Sequence, residues 1–230
     1  MKTLLAALAL TLSCAPAMAG DYLPEDTPLR IPVPQAAAMD RNFPRTADCD
    51  ALRADYIAAG WPMGAGIETL RTIDARLKRQ LVMRNDAGAD VWTPLASAII
   101  KGKRPAGDCD DISVTSAQLA ICAGMPPEDV GLLITTSPKT GALELHMMAF
   151  YRDHTGRVWV FGDSFGKPRA LSKVRQDLLF FANMGDVRRW YALHDSDGTA
   201  PDAAGPTSSI PVTEARTAPK NCEQAVELAD

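Results

Sequence analysis

Between residues 66 and 84, apolar side chains recur at three- and four-residue steps. Ile67, Leu70, Ile73, Leu77, Leu81 and Val82 form one stripe, with Arg71, Arg76, Lys78 and Arg79 between them. That period predicts an amphipathic helix ending near Arg84, ahead of Asn85-Asp86-Ala87-Gly88. A short helix over 95–100 and a loop over 101–107 containing Pro105 follow. Residues 108–123 read as a further helix. Asp108 suits the N-cap, and Asp110 and Asp111 occupy the first turn, where the helix dipole favours negative charge. Its body, ISVTSAQLAICA, carries no charge, which predicts a central, buried helix. Gly124 and the Pro126-Pro127 pair end it.

Beyond this point the pattern changes to runs that suit strands: 130–136, 143–152 and 157–164. Asp153-His154-Thr155-Gly156 reads as the hairpin loop between the last two. A helix is expected over 172–183. Five prolines between residues 20 and 47 predict an irregular leader, and the Pro-, Ala-, Ser- and Thr-rich stretch 199–219 predicts a flexible tail. Helices followed by an antiparallel sheet packed on the cysteine helix make an α+β arrangement. The expected organisation is a signal segment over 1–19, the leader over 20–47, one catalytic-type domain over 48–198, and the tail over 199–230.

The 230 residues are 47% hydrophobic and 23% charged, ordinary globular proportions, with a formal net charge of −4. That balance argues against a nucleic-acid partner, which selects for basic surfaces. The start, MKTLLAALALTLSCAPAMAG, has a basic residue, an apolar run and an Ala-Met-Ala end. It reads as a secretory signal cut after Ala19. Thr11, three residues before Cys14, stands where a lipid-acceptor site would carry Leu. No run is long enough to span a bilayer, so a periplasmic or secreted location is expected.

Candidate chemistry centres on Cys109. A cysteine in the first turn of a helix has the dipole and N–H groups that stabilise a thiolate. Those N–H groups can also hold an oxyanion. Of the three histidines, His154 falls in the hairpin loop and His194 in a loop-like HDSDG, whereas His146 lies within a strand. A four-residue loop over 153–156 would set His146 directly across from Asp163, as an acid orienting a base. The order is then nucleophile, base and orienter: Cys109, His146, Asp163.

Gly107-Asp108-Cys109-Asp110-Asp111 resembles the G-D-C-E-D motif of bacterial transglutaminase-like cysteine proteinases, the family that includes the LapG-type periplasmic proteases. Asp90-Val91-Trp92-Thr93-Pro94 resembles that family's D-x-W-x-x-P lead-in, with different spacing, and Gly162-Asp163-Ser164 resembles its aspartate strand. Asp110 stands for the usual Glu, Ile112 for an aromatic and Ser164 for Asn. The resemblance implies a papain/transglutaminase-like fold and a Cys109–His146–Asp163 triad. It also implies a protein substrate such as a surface adhesin, a membrane-associated regulator, and calcium held by Asp108 and Asp110, with no organic cofactor. Calcium would offset the carboxylates, which otherwise disfavour a neighbouring thiolate. Transamidation by the same acyl-enzyme, or a calcium-dependent binding module without catalysis, stays open.

Cys109 and Cys122 would lie roughly 19.5 Å apart along one helix, too far to bond. With Cys109 catalytic and Cys122 in the helix body, the expected disulfide is Cys49–Cys222.

Overall fold

In the computed structural model the described residues are Leu23 and residues 33–44, 49–136, 145–162 and 167–193. Three helices open the fold: α1 (Pro34–Asn42), α2 (Asp50–Ala58) and α3 (Ile67–Gln80). Strand β1 (Val82–Met83), helix α4 (Ala96–Ile100) and strand β2 (Ala106–Gly107) lead to α5 (Cys109–Cys122). Then come β3 (Val130–Thr136), β4 (Leu145–Arg152), β5 (Val158–Phe161), β6 (Arg169–Ala170), β7 (Leu178–Asn183) and β8 (Tyr191–Ala192).

The last six strands form one antiparallel sheet in the order β6-β5-β4-β3-β7-β8. Side chains alternate across it. Met147, Ala149 and Tyr151 of β4 join the core shared with the helices, whereas Met148 and Phe150 join a second core with Leu133, Val160 and Phe181. Every residue of α5 after Cys109 is buried, as an uncharged helix body requires. Helices stacked on an antiparallel sheet, with the cysteine at the start of the central helix, give the α+β layout of papain/transglutaminase-like folds.

Several expectations change. The predicted irregular leader contains α1, because Pro34 stands in the helix's first turn, where its missing N–H costs nothing, and Ala36-Ala37-Ala38 follow. The stripe predicted to run to Arg84 stops at Gln80. Val82 and Met83 leave the helix to pair in parallel with Ala106 and Gly107. The helix expected over 172–183 is a short 3-10 turn, Leu171–Lys173, followed by strand β7. Its LLFFAN run is apolar on both faces, a pattern that periodicity alone cannot assign.

The predicted hairpin register is off by one residue. The expected loop would pair Ala149 with Val160, whereas Ala149 pairs with Phe161 and Arg152 with Val158. The loop is a residue longer, closed by the Asp153 N–H donating to the Arg157 carbonyl. Asp153 Oδ1 stabilises it by accepting from the Thr155 N–H and hydroxyl and from the Arg157 N–H. A one-residue slip exchanges the two faces, so direct cross-strand pairing of His146 with Asp163 is not the register of this hairpin.

The expected Cys49–Cys222 disulfide is corrected as well: Cys49 bonds Cys122, with Cα atoms 5.0 Å apart. Cys49 caps a helix, α2, rather than lying in an irregular extension, and that helix packs beside the end of α5. Cys122 is therefore a bridge residue and not a bare core thiol. Cys222, the segment 199–230 and Asp163 lie outside the described residues. Among the described residues, no helix is long and apolar enough to cross a membrane.

Candidate active site and acidic cluster

Cys109 opens α5, half-buried, and takes no part in the disulfide. The backbone before it is held closely. The Gly107 carbonyl accepts the Arg84 N–H at 3.0 Å. A Cβ at Gly107 would lie 2.5 Å from Asp111 Oδ2 and 2.7 Å from Asp111 Cβ. The glycine of the G-D-C sequence is thus the space in which the Asp111 side chain sits.

Asp108 occupies the N-cap position but makes no capping hydrogen bond. Its Oδ2 instead accepts the Asp86 N–H at 3.3 Å. The segment before α4 wraps the start of α5 through further bonds. The Thr93 N–H donates to Asp111 Oδ1 at 2.6 Å, and the Leu95 N–H donates to Thr115 Oγ1 at 2.9 Å. Trp92, buried in the same segment, meets Trp190 edge-on with centroids 5.9 Å apart.

The acids gather around this turn. One ligand oxygen from each of Asp108, Asp110 and Asp111 lies within 4.8 Å of the other two. Burial is the main force pushing the Asp110 carboxyl far above the usual range, aided by its hydrogen bond to Asp90 and the charge of Asp108. Asp111 is pushed up to about 6, again chiefly by burial; its bond from Thr93 pulls the other way, and the charges of Asp108 and Asp86 add to the rise. The sequence reading named Asp108 and Asp110 as metal ligands. Asp111 is a third member of the cluster that the sequence pattern did not single out, and Asp86 and Asp90 are further acids beside it. Their clustering within one wrapped loop depends on folding, but Asp90 already stood in the motif-like lead-in.

His146 is half-buried near the start of β4, paired with Thr135 of β3. Alternation assigns it to the Met148 side of the sheet. The pairing of β4 with β5 ends at Ala149–Phe161. Beyond that point a helix side chain enters between the strands. Ser113 Oγ, fully buried, lies 2.7 Å from the Cys109 carbonyl, 2.9 Å from the Met147 carbonyl and 3.1 Å from the Gly162 carbonyl. The start of the cysteine helix, the residue after His146 and the residue before Asp163 in sequence thus meet at one hydroxyl. His154 is exposed in the hairpin loop, as expected.

This arrangement is the papain/transglutaminase-like kind: a cysteine at the head of a buried helix, set against the mouth of an antiparallel sheet. Among solved structures the chain is similar to Legionella pneumophila LapG, with a TM-score of 0.47 and 17% identity over 74% of this chain and 93% of that one. The EGTA-treated form of that protein matches with a TM-score of 0.44 and 16% identity over 68% of this chain and 84% of the other. The calcium-bound form gives 0.44 and 16% over 66% and 84%. No protein-family model matches the chain, and no curated protein matches it.

Proposed function

We propose that the chain is an exported cysteine peptidase acting on a protein substrate, with Cys109 as nucleophile, His146 as base and Asp163 as the group that orients the imidazole. The observation that supports this reading is the meeting of the Cys109 and Met147 backbones with Gly162 at Ser113. Cys109 attacks the scissile carbonyl as the thiolate, and His146 takes the thiol proton. The carbonyl oxygen becomes an oxyanion, held by the Cys109 N–H and a neighbouring donor at the helix start. Collapse of the intermediate expels the amine, which receives its proton from His146, and water then releases the acid and the thiol.

The acidic cluster fits calcium. Its donors are hard carboxylate oxygens, and Asp110 Oδ1 is buried with no hydrogen-bond partner. Asp108, Asp110 and Asp111 would hold the ion, and its charge would offset theirs beside the nucleophile. Transamidation uses the same acyl-enzyme with an amine in place of water; ammonia and cross-links, rather than fragments, would mark it.

The test is iodoacetamide labelling of the mature protein, read by peptide mass spectrometry. Cys109 is expected to label faster in folded protein than in protein unfolded in urea at the same pH, and to lose that advantage in His146→Ala. Equal rates folded and unfolded would exclude the catalytic assignment.

A further inference from the structure

Gly162 follows β5 in a conformation suited to glycine, with φ at +65°. A Cβ there would lie 2.5 Å from Ser116 Cβ and 3.2 Å from Ala149 Cβ, so the residue is pressed between α5 and β4. Its two polar groups are held from opposite sides. The N–H donates to Asp74 Oδ1 at 3.0 Å, from the inner face of α3. The carbonyl lies 3.1 Å from Ser113 Oγ on α5. Asp74 is 3% exposed. An acid on the buried stripe of an amphipathic helix is costly unless it is satisfied by partners.

The geometry points to Asp74 and Ser113 as positioning residues for the site. This inference rests on the peptidase reading above. The left-handed backbone of Gly162 stands directly after Phe161, the last residue of β5 paired with β4. The Gly162 carbonyl belongs to the peptide group that carries the Asp163 nitrogen. Holding it therefore constrains the backbone at the end of β5, next to the Cys109 turn. The single Ser113 proton is shared among three carbonyls, of Cys109 at 2.7 Å, Met147 at 2.9 Å and Gly162 at 3.1 Å, so the hydroxyl sits where the Cys109 turn, the strand bearing His146 and the end of β5 converge. Asp74 anchors the arrangement to α3. Neither side chain is assigned a role in bond making; both act through the backbone they hold.

The test compares the mature wild type with Asp74→Ala, Asp74→Asn and Ser113→Ala. Three quantities are read: exchange of the Gly162 amide, the ring-nitrogen NMR signals of His146, and the rate of Cys109 alkylation at one pH. Asp74→Ala should speed Gly162 exchange, shift the His146 ring signals, and slow alkylation by up to roughly 10²-fold. Asp74→Asn keeps an oxygen acceptor and should restore all three. Ser113→Ala should shift the His146 signals and slow alkylation in the same direction. Wild-type behaviour of folded Asp74→Ala in all three readouts would overturn the proposal. So would an Asn variant as impaired as the Ala variant, because charge rather than the hydrogen bond would then be at work. If wild-type Cys109 labels no faster folded than unfolded, the peptidase reading fails and the positioning role falls with it. Gly162 exchange would still report separately whether Asp74 holds the turn.

Discussion

Cys49 at the cap of α2 is bonded to Cys122 at the end of α5, so the cysteine helix is fastened at the end opposite Cys109. The bridge closes a sequence separation of 73 residues. Chain-entropy reasoning gives such a loop about 4 kcal/mol of stabilisation. The double variant Cys49→Ser/Cys122→Ser should lower the guanidinium midpoint accordingly without changing the Cys109 peptide. A non-reducing peptide map should show the Cys49–Cys122 pair; finding Cys49 joined to Cys222 would restore the pairing expected from sequence.

Gly107 and Asp111 make a second stability prediction. The clash a Gly107 side chain would meet includes Asp111 Cβ at 2.7 Å, an atom whose position is set by the helix backbone. No rotamer of Asp111 relieves it. Gly107→Ala should therefore destabilise the protein by about 1–3 kcal/mol, the usual cost of overpacking. It should also loosen the Thr93–Asp111 bond. Urea melts measure the first effect, and exchange of the Thr93 amide measures the second. An unchanged midpoint would show that the α5 turn can shift to make room.

These relationships divide into those legible in sequence and those that are not. The helix at Cys109–Cys122 and the strand at Val130–Thr136 were legible because local signals agree: an acid-rich first turn with a glycine-proline stop for one, and a β-branched apolar run for the other. Of the candidate site, the places of two side chains in the fold were legible. Cys109 and His146 follow from motif and strand position, but register depends on how Asp153 closes its loop, which one extra residue decides. Asp74 followed the apolar stripe of α3, four residues after Leu70, and that placement of an acid was the available signal. Ser113 gave none, since a serine in an uncharged helix reads as filler until β4 and β5 are placed around it.

The hairpin loop gives a prediction independent of catalysis. Partial burial raises the Asp153 carboxyl, but hydrogen bonds from the Thr155 hydroxyl, the Trp159 indole at 2.9 Å and two backbone N–H groups outweigh it and hold the group below its usual value. A depressed carboxylate contributes stability at neutral pH and loses it as pH falls through the folded value. Asp153→Ala should lower the melting temperature at pH 7. The difference from wild type should start to shrink as the pH falls below about 3.9, and go on shrinking as the wild-type carboxylate is protonated. A constant difference across that range would assign its role to shape alone.

The acidic cluster shows the opposite sign. Asp111, pushed up to about 6, titrates above its unfolded value of about 3.9, so the folded chain binds more protons between these limits. Stability from this group is present below about pH 4 and is lost as pH rises toward 6. Burial and its acidic neighbours push Asp110 up as well, which extends the loss to higher pH. Without divalent cations the melting temperature should therefore decline from pH 4 to neutrality. Asp111→Asn keeps an acceptor for the Thr93 N–H while removing the charge, so it should flatten the decline between pH 4 and 6. Calcium should reverse the trend. The gain in melting temperature over an EGTA-treated sample should be small at pH 5, where protons compete for the same oxygens, and larger at pH 7.5. The double variant Asp108→Asn/Asp110→Asn should abolish that gain. A melting temperature indifferent to calcium at both pH values would mean that buried protons, rather than a cation, keep these carboxylates together beside Cys109.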